Sequence, residues 1–351
     1  MIDLDGTRRG FILAGAALAA VPSGARAATP FAGPAPDAGW CEAVVVTSDA
    51  RRLASVLGEV AGWSPVGQGA TAAAVLRLWG LPAGASGREI LLGNAGDASG
   101  FVRLVELRGA GPQVQIRSSA MPWDTGGVFS LMTRSRDLDG AFARAQALGY
   151  SAFNDPVDFD FGGVVLRNVV LRLPDGLNLA IYERRRPLLE GWDTIRRVSL
   201  PFNAMQMVPD RDRTRDFYRA VFGYAPVADG GFIDPAPGPN NFALPQNLTT
   251  KIDRRFAIMA FGGSDVGRVE AMQFAGLTGR DLSSRARFPN FGVAALRFPT
   301  RRMAAILAAG RAGGHPTSTE PVEAAVAPYG RARLAHVRSP DGVIVELMEV
   351  G

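Results

Sequence analysis

The sequence predicts an α+β protein assembled from four copies of one βαβββ module. Three observations carry this reading. Four times an apolar strand leads into a helix; three of those helices open on aspartate, at Asp49, Asp137 and Asp210, with Thr300 in the fourth place; and three close on a glycine–aromatic pair, at Gly62-Trp63, Gly149-Tyr150 and Gly223-Tyr224. An aspartate side chain accepts from the free N–H groups of a first helical turn. Glycine supplies the left-handed residue that ends a helix. Asp49 to Gly62 and Asp210 to Gly223 are identically spaced, the mark of an internal repeat.

The leading strands are read as Glu42–Val46, Val128–Met132, Ala204–Val208 and Gly292–Phe298. Further strands follow each helix. Module one offers Val75–Trp79, Glu89–Leu92 and Phe101–Leu107. Module two offers Val164–Leu173, the turn Pro174-Asp175-Gly176 and Leu177–Tyr182, and module four repeats this as Arg333–Arg338, Pro340-Asp341-Gly342 and Val343–Met348. Proline fixes φ and glycine permits positive φ, so Pro-Asp-Gly between β-rich runs is a hairpin signal. Module three is the least regular, with a Pro/Asn-rich insertion from Asp234 to Leu248 before Phe256–Phe261 and Arg268–Phe274. Modules one and three correspond in detail, as do two and four.

The N-terminus reads as an export signal. Thr7-Arg8-Arg9-Gly10-Phe11-Ile12-Leu13 pairs arginines ahead of an uncharged run to Val21, and Ala25-Arg26-Ala27 has the small-x-small form of a signal-peptidase site. The apolar run falls short of the about 20 residues a spanning helix needs. This resembles a twin-arginine (Tat) signal, an address read by the Tat export machinery. A mature chain starting near Ala28 and soluble in the periplasm, or secreted, is the expectation, with no stable membrane insertion.

The chain has 351 residues and a formal net charge of +5, almost all of its cations being arginine, with Lys251 the only lysine. Arginine is scattered apart from Arg184-Arg185-Arg186, which argues against a nucleic-acid groove. Cys41 is the single cysteine, so neither an intrachain disulfide nor a cysteine zinc site can form. Beside Glu42 it reads as a small buried hydrophobe.

Repeated βαβββ units with these aspartates, glycine–aromatic closures and Pro-Asp-Gly turns resemble the vicinal oxygen chelate (VOC) superfamily of glyoxalases, bleomycin-resistance proteins and extradiol dioxygenases. Phe217-Tyr218 with Phe222-Gly223-Tyr224 is similar to one of its helices, and Ser339-Pro340-Asp341-Gly342-Val343-Ile344-Val345-Glu346-Leu347 to its closing strand. The resemblance covers roughly residues 40–351 and bears on fold more than reaction. It implies that modules pair into two cup-shaped, incompletely closed mixed β-barrels. Modules one and two would form the first domain (40–185) and modules three and four the second (198–351). Residues 28–39 and 186–197 would be linkers.

The resemblance also implies where a metal would sit, on the first and last strands of each module. The first-strand positions map to Glu42, Ser130, Asn203 and Val293; the last-strand positions map to Ala180 and Glu346, with Glu106 in module one and Glu270 or Met272 in module three. An extradiol iron site needs two histidines and a carboxylate. The only histidines are His315 and His336, which argues against that activity. Glu42 and Glu106 are left as a carboxylate pair. They could hold one divalent cation (Mg²⁺, Mn²⁺ or Zn²⁺), act as acid and base, or pair with arginines at the cup rim. His336, on the strand before a Pro-Asp-Gly turn, could face Glu346 and move protons with it, or be a hydrogen-bonded core residue. His315 reads as a loop residue. Asp155, Asp158 and Asp160 read as an exposed strand edge. Ser130, Asn203, Phe129, Phe161 and Tyr182, with Trp123 and Phe153, are the candidate substrate-binding or core side chains.

Two functions fit. One is an exported enzyme without a redox cofactor, acting on a small, partly apolar organic molecule as a lyase, isomerase or glyoxalase-like catalyst. The other is a non-catalytic small-molecule binding or sequestration protein of the bleomycin-resistance type. A structural role with both cups filled is a third. A homodimer stays open as an assembly.

Overall fold

The computed structural model describes residues 34–94, 96–161 and 163–350. The Thr7–Leu13 and Ala25–Ala27 segments of the expected export signal lie outside the described residues. Module one comprises β1 (Glu42–Val46), α1 (Ala50–Ala61), β2 (Ser64–Ala70), α2 (Ala73–Leu78), β3 (Ser86–Gly93) and β4 (Phe101–Arg108). Module two comprises β5 (Val128–Ser135), α3 (Leu138–Ala147), β6 (Ser151–Ala152), β7 (Val157–Phe161), β8 (Val164–Arg172) and β9 (Asn178–Arg186). Module three comprises β10 (Asn203–Met207), α4 (Arg211–Phe217) continued by a π-turn, β11 (Ala225–Phe232), β12 (Asp253–Ala260) and β13 (Arg268–Ala275). Module four comprises β14 (Gly292–Pro299), α5 (Met303–Ala312), β15 (Val322–Val326), β16 (Gly330–Arg338) and β17 (Ile344–Val350).

The helix boundaries follow from local chemistry. Asp49, Asp137 and Asp210 each accept from the backbone N–H three residues on, at 2.9, 2.9 and 3.0 Å. Gly62, Gly149 and Gly223 take φ values of 80°, 83° and 82°, which a side chain would strain. At α5 the hydroxyl of Thr300 accepts from the Arg302 N–H at 2.9 Å. The segment expected as strand Val75–Trp79 is instead the helix α2 and its cap. Its run Ala-Ala-Val-Leu-Arg-Leu is rich in helix formers. The second strand of the module is Ser64–Ala70, an exposed edge strand with no apolar alternation for the sequence to display.

Two curled, open half-barrel sheets result, in the orders β15-β16-β17-β14-β1-β4-β3-β2 and β11-β12-β13-β10-β5-β9-β8-β6, with β7 on β8. The expected pairing of consecutive modules is therefore corrected. Module one shares a cup with module four, and module two with module three, so neither cup is the contiguous segment 40–185 or 198–351. The seams are antiparallel pairs of leading strands, β1 with β14 and β10 with β5. All four leading strands are apolar and present similar edges, so the pattern alone gives β1 no preferred partner. The facing side chains do, since Glu42 stands opposite Arg297.

Helices α1, α3, α4 and α5 pack between the two sheets in one apolar core. Leu53 and Leu57 of α1, Leu138 of α3, Phe222 of the π-turn and Ile306 of α5 meet Val45, Leu179, Ala271 and Leu347 from the convex sheet faces. The Pro-Asp-Gly turns tie this core together. Asp175 accepts from the Thr47 hydroxyl at 2.6 Å and the Ser48 N–H at 2.8 Å, so the module-two turn grips the start of the module-one helix. Asp341 accepts from the Thr214 hydroxyl at 2.5 Å and from Arg213 at 3.1 Å, the same grip of module four on module three. Among the described residues no helix is long and apolar enough to cross a membrane.

Asp341 is 1% exposed. Replacing it by alanine leaves the Thr214 hydroxyl only its longer bond to the Asp210 carbonyl at 3.2 Å and loses the charge-assisted bond from Arg213, an expected loss of about 1–3 kcal/mol in urea unfolding.

Candidate active site

The strand register defines four equivalent positions in each cup. Glu42 faces Arg297 across one seam, and Asn203 faces Met132 across the other. Arg297 lies beside Glu346, and Met132 beside Ala180. Glu42 lies beside Phe101 and Asn203 beside Arg268, so two residues further on Arg103 corresponds to Glu270. The first cup thus presents Glu42, Arg103, Arg297 and Glu346, and the second Asn203, Glu270, Met132 and Ala180. The chemistry of the two could hardly differ more.

In the first cup the four side chains form a closed ion network, each at most 2% exposed. Arg103 donates to both oxygens of Glu42, at 2.7 and 2.8 Å, and to Glu89 at 2.5 Å. Arg297 donates to Glu42 and, from Nε at 2.7 Å, to Oε1 of Glu346. Tyr329 donates to Glu42 Oε2 at 2.8 Å, and the Trp79 indole N–H to Glu346 Oε2 at 2.7 Å. Burial opposes ionisation of Glu42, yet the charges of Arg103 and Arg297 and the hydrogen bonds from Arg103 and Tyr329 hold its carboxyl below the ordinary carboxylate value. Above this network Trp79 stacks on Phe288 with ring centroids 4.1 Å apart, and α2 enters the cup with Val75 and Leu76, leaving a space of about 180 Å³ beside Arg103 and Arg297.

These residues do not fit a divalent metal. Every oxygen of Glu42 and Glu346 already accepts from a protein donor, and two guanidinium groups occupy the space between them. The expected Glu42–Glu106 pair is not brought together. Glu106 is three residues along β4 from Arg103 and so points from the opposite face, where it meets Arg108 at 3.1 Å. The reading of these glutamates as arginine partners describes both.

His336 faces Glu346 across β16 and β17, as expected, and its Nδ1 lies 3.2 Å from the Ser318 hydroxyl. Burial lowers its pKa more than Glu346 raises it, so the ring is neutral at neutral pH. Glu346 is spoken for by Arg297 and Trp79, which leaves the expected His336–Glu346 proton pair without a free carboxylate. His315 follows α5 and packs edge-on to Phe217 at 4.6 Å. Cys41 is buried, and burial pushes its thiol up. Asp158 and Asp160 are exposed and face Arg167 and Arg186 at 2.9 and 3.7 Å.

The second cup holds a pocket of about 350 Å³. Met132, Met205, Met272, Phe256 and Phe242 give it an apolar interior, and Glu270 and Asn203 stand on its wall. The Asn203 amide donates to Glu270 Oε2 at 3.0 Å, and Oδ1 of Asn203 is buried without a partner. Glu270 is 4% exposed and has no cation beside it. Burial pushes its carboxyl up to about 7, the Asn203 hydrogen bond pulling weakly the other way. One carboxylate and one amide, facing Met132 and Ala180, are not a donor set for a hard cation.

Tyr182 lines the same pocket, and its phenol is pushed up by burial and by the Glu270 charge. Ser130 is buried two residues below Met132 with its hydroxyl unpartnered, and Phe129 packs beneath the pocket against Phe153 at 5.6 Å. The backbone of Phe161 closes β7 against Val164; its side chain lies outside the described residues. The Pro/Asn-rich insertion, irregular in sequence, is the roof. Asn240 accepts from the N–H groups of Phe242 and Leu244, and the Asn241 amide donates to Asn168 of β8 at 2.7 Å.

Arg134, Arg184 and Arg268 also line the pocket toward its mouth, and none was expected as a site residue, Arg184 being noted only as part of the Arg184–Arg186 run. Alternation could have found the first two, since Arg134 shares a strand face with Ser130 and Met132, and Arg184 with Tyr182.

No known protein-family model matches the chain, and no curated protein matches it. Among solved structures it is similar to glyoxalase I from Zea mays, with a TM-score of 0.59 at 14% identity over 89% of this chain and 92% of that one. It is also similar to a putative dioxygenase from Bacillus subtilis, with a TM-score of 0.56 at 13% identity over 90% and 86%. The chain has the vicinal oxygen chelate fold.

Arg297→Met leaves Glu346 and part of Glu42 buried without a counter-charge; the expected loss is about 3–5 kcal/mol, read by urea unfolding. Glu270 gives a pH signature of opposite sign. Its folded pKa lies above the ordinary 4.5, so the native state binds the extra proton and stability falls as pH rises from about 4.5 to about 7. The stability of wild type relative to Glu270→Gln should fall across that window by on the order of 3 kcal/mol, measured by unfolding at a series of pH values.

Proposed function

We propose that the second cup is the active site of an enzyme that acts on a small, partly apolar organic molecule by proton transfer through Glu270, as a lyase or isomerase and without a redox cofactor. The observation that carries this is a buried carboxyl with a pKa of about 7 on the wall of an apolar, roofed pocket. Such a group populates both its acid and its base form near neutral pH, which is what proton abstraction followed by reprotonation requires. Asn203 fixes one carboxyl oxygen by its hydrogen bond, and the other takes no hydrogen bond from the described residues. In this reading Asn203 and Tyr182 orient the substrate, and the Glu42–Glu346 network holds the scaffold.

The test is hydrogen–deuterium exchange at carbon. Carbonyl compounds with an acidic C–H, incubated with the mature protein in D₂O, should gain deuterium by NMR, with a pH–rate inflection near 7. Glu270→Gln should lower the rate at least about 100-fold while the folded protein still binds the compound. A variant that exchanges at the wild-type rate would overturn the assignment.

A second reading, sequestration of a small molecule without turnover, is favoured by the roof that Phe242 and Asn241 place over the pocket. It expects a ligand retained through purification, seen by native mass spectrometry, and no exchange. We also infer that residues 1–27 direct Tat export to the periplasm, so N-terminal sequencing of the exported protein should begin near Ala28.

A further inference from the structure

Two of the three cations at the mouth of the second cup lack the partners that buried arginines take. Arg268 is neutralised by Asp265 and donates to the Ser264 carbonyl at 2.7 Å. Arg134 and Arg184 make no ion pair among the described residues, and the Nε of each is buried with no acceptor. The Arg134 guanidinium lies 4.8 Å from the Trp192 ring centroid and 4.2 Å from that of Phe202. The two rings stand edge to face, 75° apart, so they hold the guanidinium by cation–π attraction and take none of its N–H groups as hydrogen-bond acceptors would. Burial, with the neighbouring charge of Arg184 next, lowers the Arg134 pKa to about 10, and the more distant Asp265 charge offsets this only in part.

Buried donors without acceptors are costly, and native structures rarely leave them so. Glu270 does not serve, since its only hydrogen bond is to Asn203 and no arginine acts on its charge.

Resting on the reading of the second cup as the ligand site, we propose that it takes an amphipathic organic anion. The acid group, carboxylate or phosphate, is held by Arg134 and Arg184 at the mouth, and an apolar body lies among Met132, Met205, Phe256 and Phe242. A cavity of about 150 Å³ accommodates one benzene, so the pocket of about 350 Å³ has room for a two-ring body.

The test compares three probes of one shape by isothermal calorimetry on the mature protein at pH 8: 2-naphthoate, 2-naphthyl phosphate and the uncharged 2-naphthamide. At least one acid should bind about tenfold or more tightly than the amide, and the better acid identifies the headgroup. Arg184→Gln should reduce that preference about tenfold and leave amide binding unchanged. Arg134→Gln should do the same, and Arg184 guards the result should loss of the Arg134 contacts with Trp192 and Phe202 unfold the protein. An amide that binds as well as both acids, an Arg184→Gln protein that keeps the preference, or no binding by any probe would each overturn the proposal. Because binding is read without turnover, a protein that prefers the acids but exchanges no deuterium keeps this inference and loses the proton-transfer reading. One that exchanges deuterium without an acid preference does the reverse.

Discussion

The seam between β1 and β14 is closed by two guanidinium groups buried between carboxylates, and the rest of the architecture depends on it. Glu42 is near the start of the described chain and Glu346 near its end, with Arg297 bonded to both. Joining the terminal modules leaves the two central ones to pair with each other, so this one network sets the composition of both cups. Such a network need not add stability over an apolar core, because desolvating the ions offsets much of their attraction. Its value here is selectivity. An arginine on β14 is complementary to the glutamate of β1 and to no neutral residue on a competing edge, and a one-residue slip of β14 would turn Arg297 away from Glu42 toward the apolar core between the sheets.

The same four register positions then explain how one fold makes two unlike interiors. With two arginines in place the carboxylates of the first cup are saturated with donors, and Glu42 sits below its ordinary pKa. With methionine and alanine in the arginine and glutamate positions of the second cup, nothing balances Glu270, and burial raises it. Desolvation acts on both glutamates; the presence of a cation within hydrogen-bond reach decides the direction.

Much of this was legible in the residues, and the division is physical. Helix caps at Asp49 and Asp210, left-handed glycines and Pro-Asp-Gly turns are local chemistry, and a sequence states them directly. The mapping to Asn203 was legible because it occupies a fixed place within its own module, whereas the last-strand position of module three stayed open between Glu270 and Met272. The partner of a leading strand is a non-local choice among edges of similar pattern, and joining one with two and three with four was the wrong choice. Glu106 misled because a Val-Glu-Leu pattern locates a last strand without giving its phase, and three residues of offset put the side chain on the other face. Arg134 and Arg184 were passed over because a charged residue on a strand reads as solvent-facing until the cup that encloses it is known.

The two cups are also closed differently from one topological point. Modules one and three both carry an insertion between their second and third strands: α2 and Trp79 in one, the Asn240–Leu244 roof in the other. In the first, the insertion reaches the last-strand carboxylate, and the Trp79 indole satisfies Glu346. That position is Ala180 in the second cup, which offers no acceptor. There the insertion anchors instead on Asn168 of β8, at the side, and spans the space rather than filling it. A pocket therefore persists where the alanine stands, with its polar groups turned inward and short of partners. Asn203 Oδ1 on the wall and the Nε atoms of Arg134 and Arg184 at the mouth are left unsatisfied along one path into the cup. A core assembled for stability alone would have paired or removed them, as the first cup did.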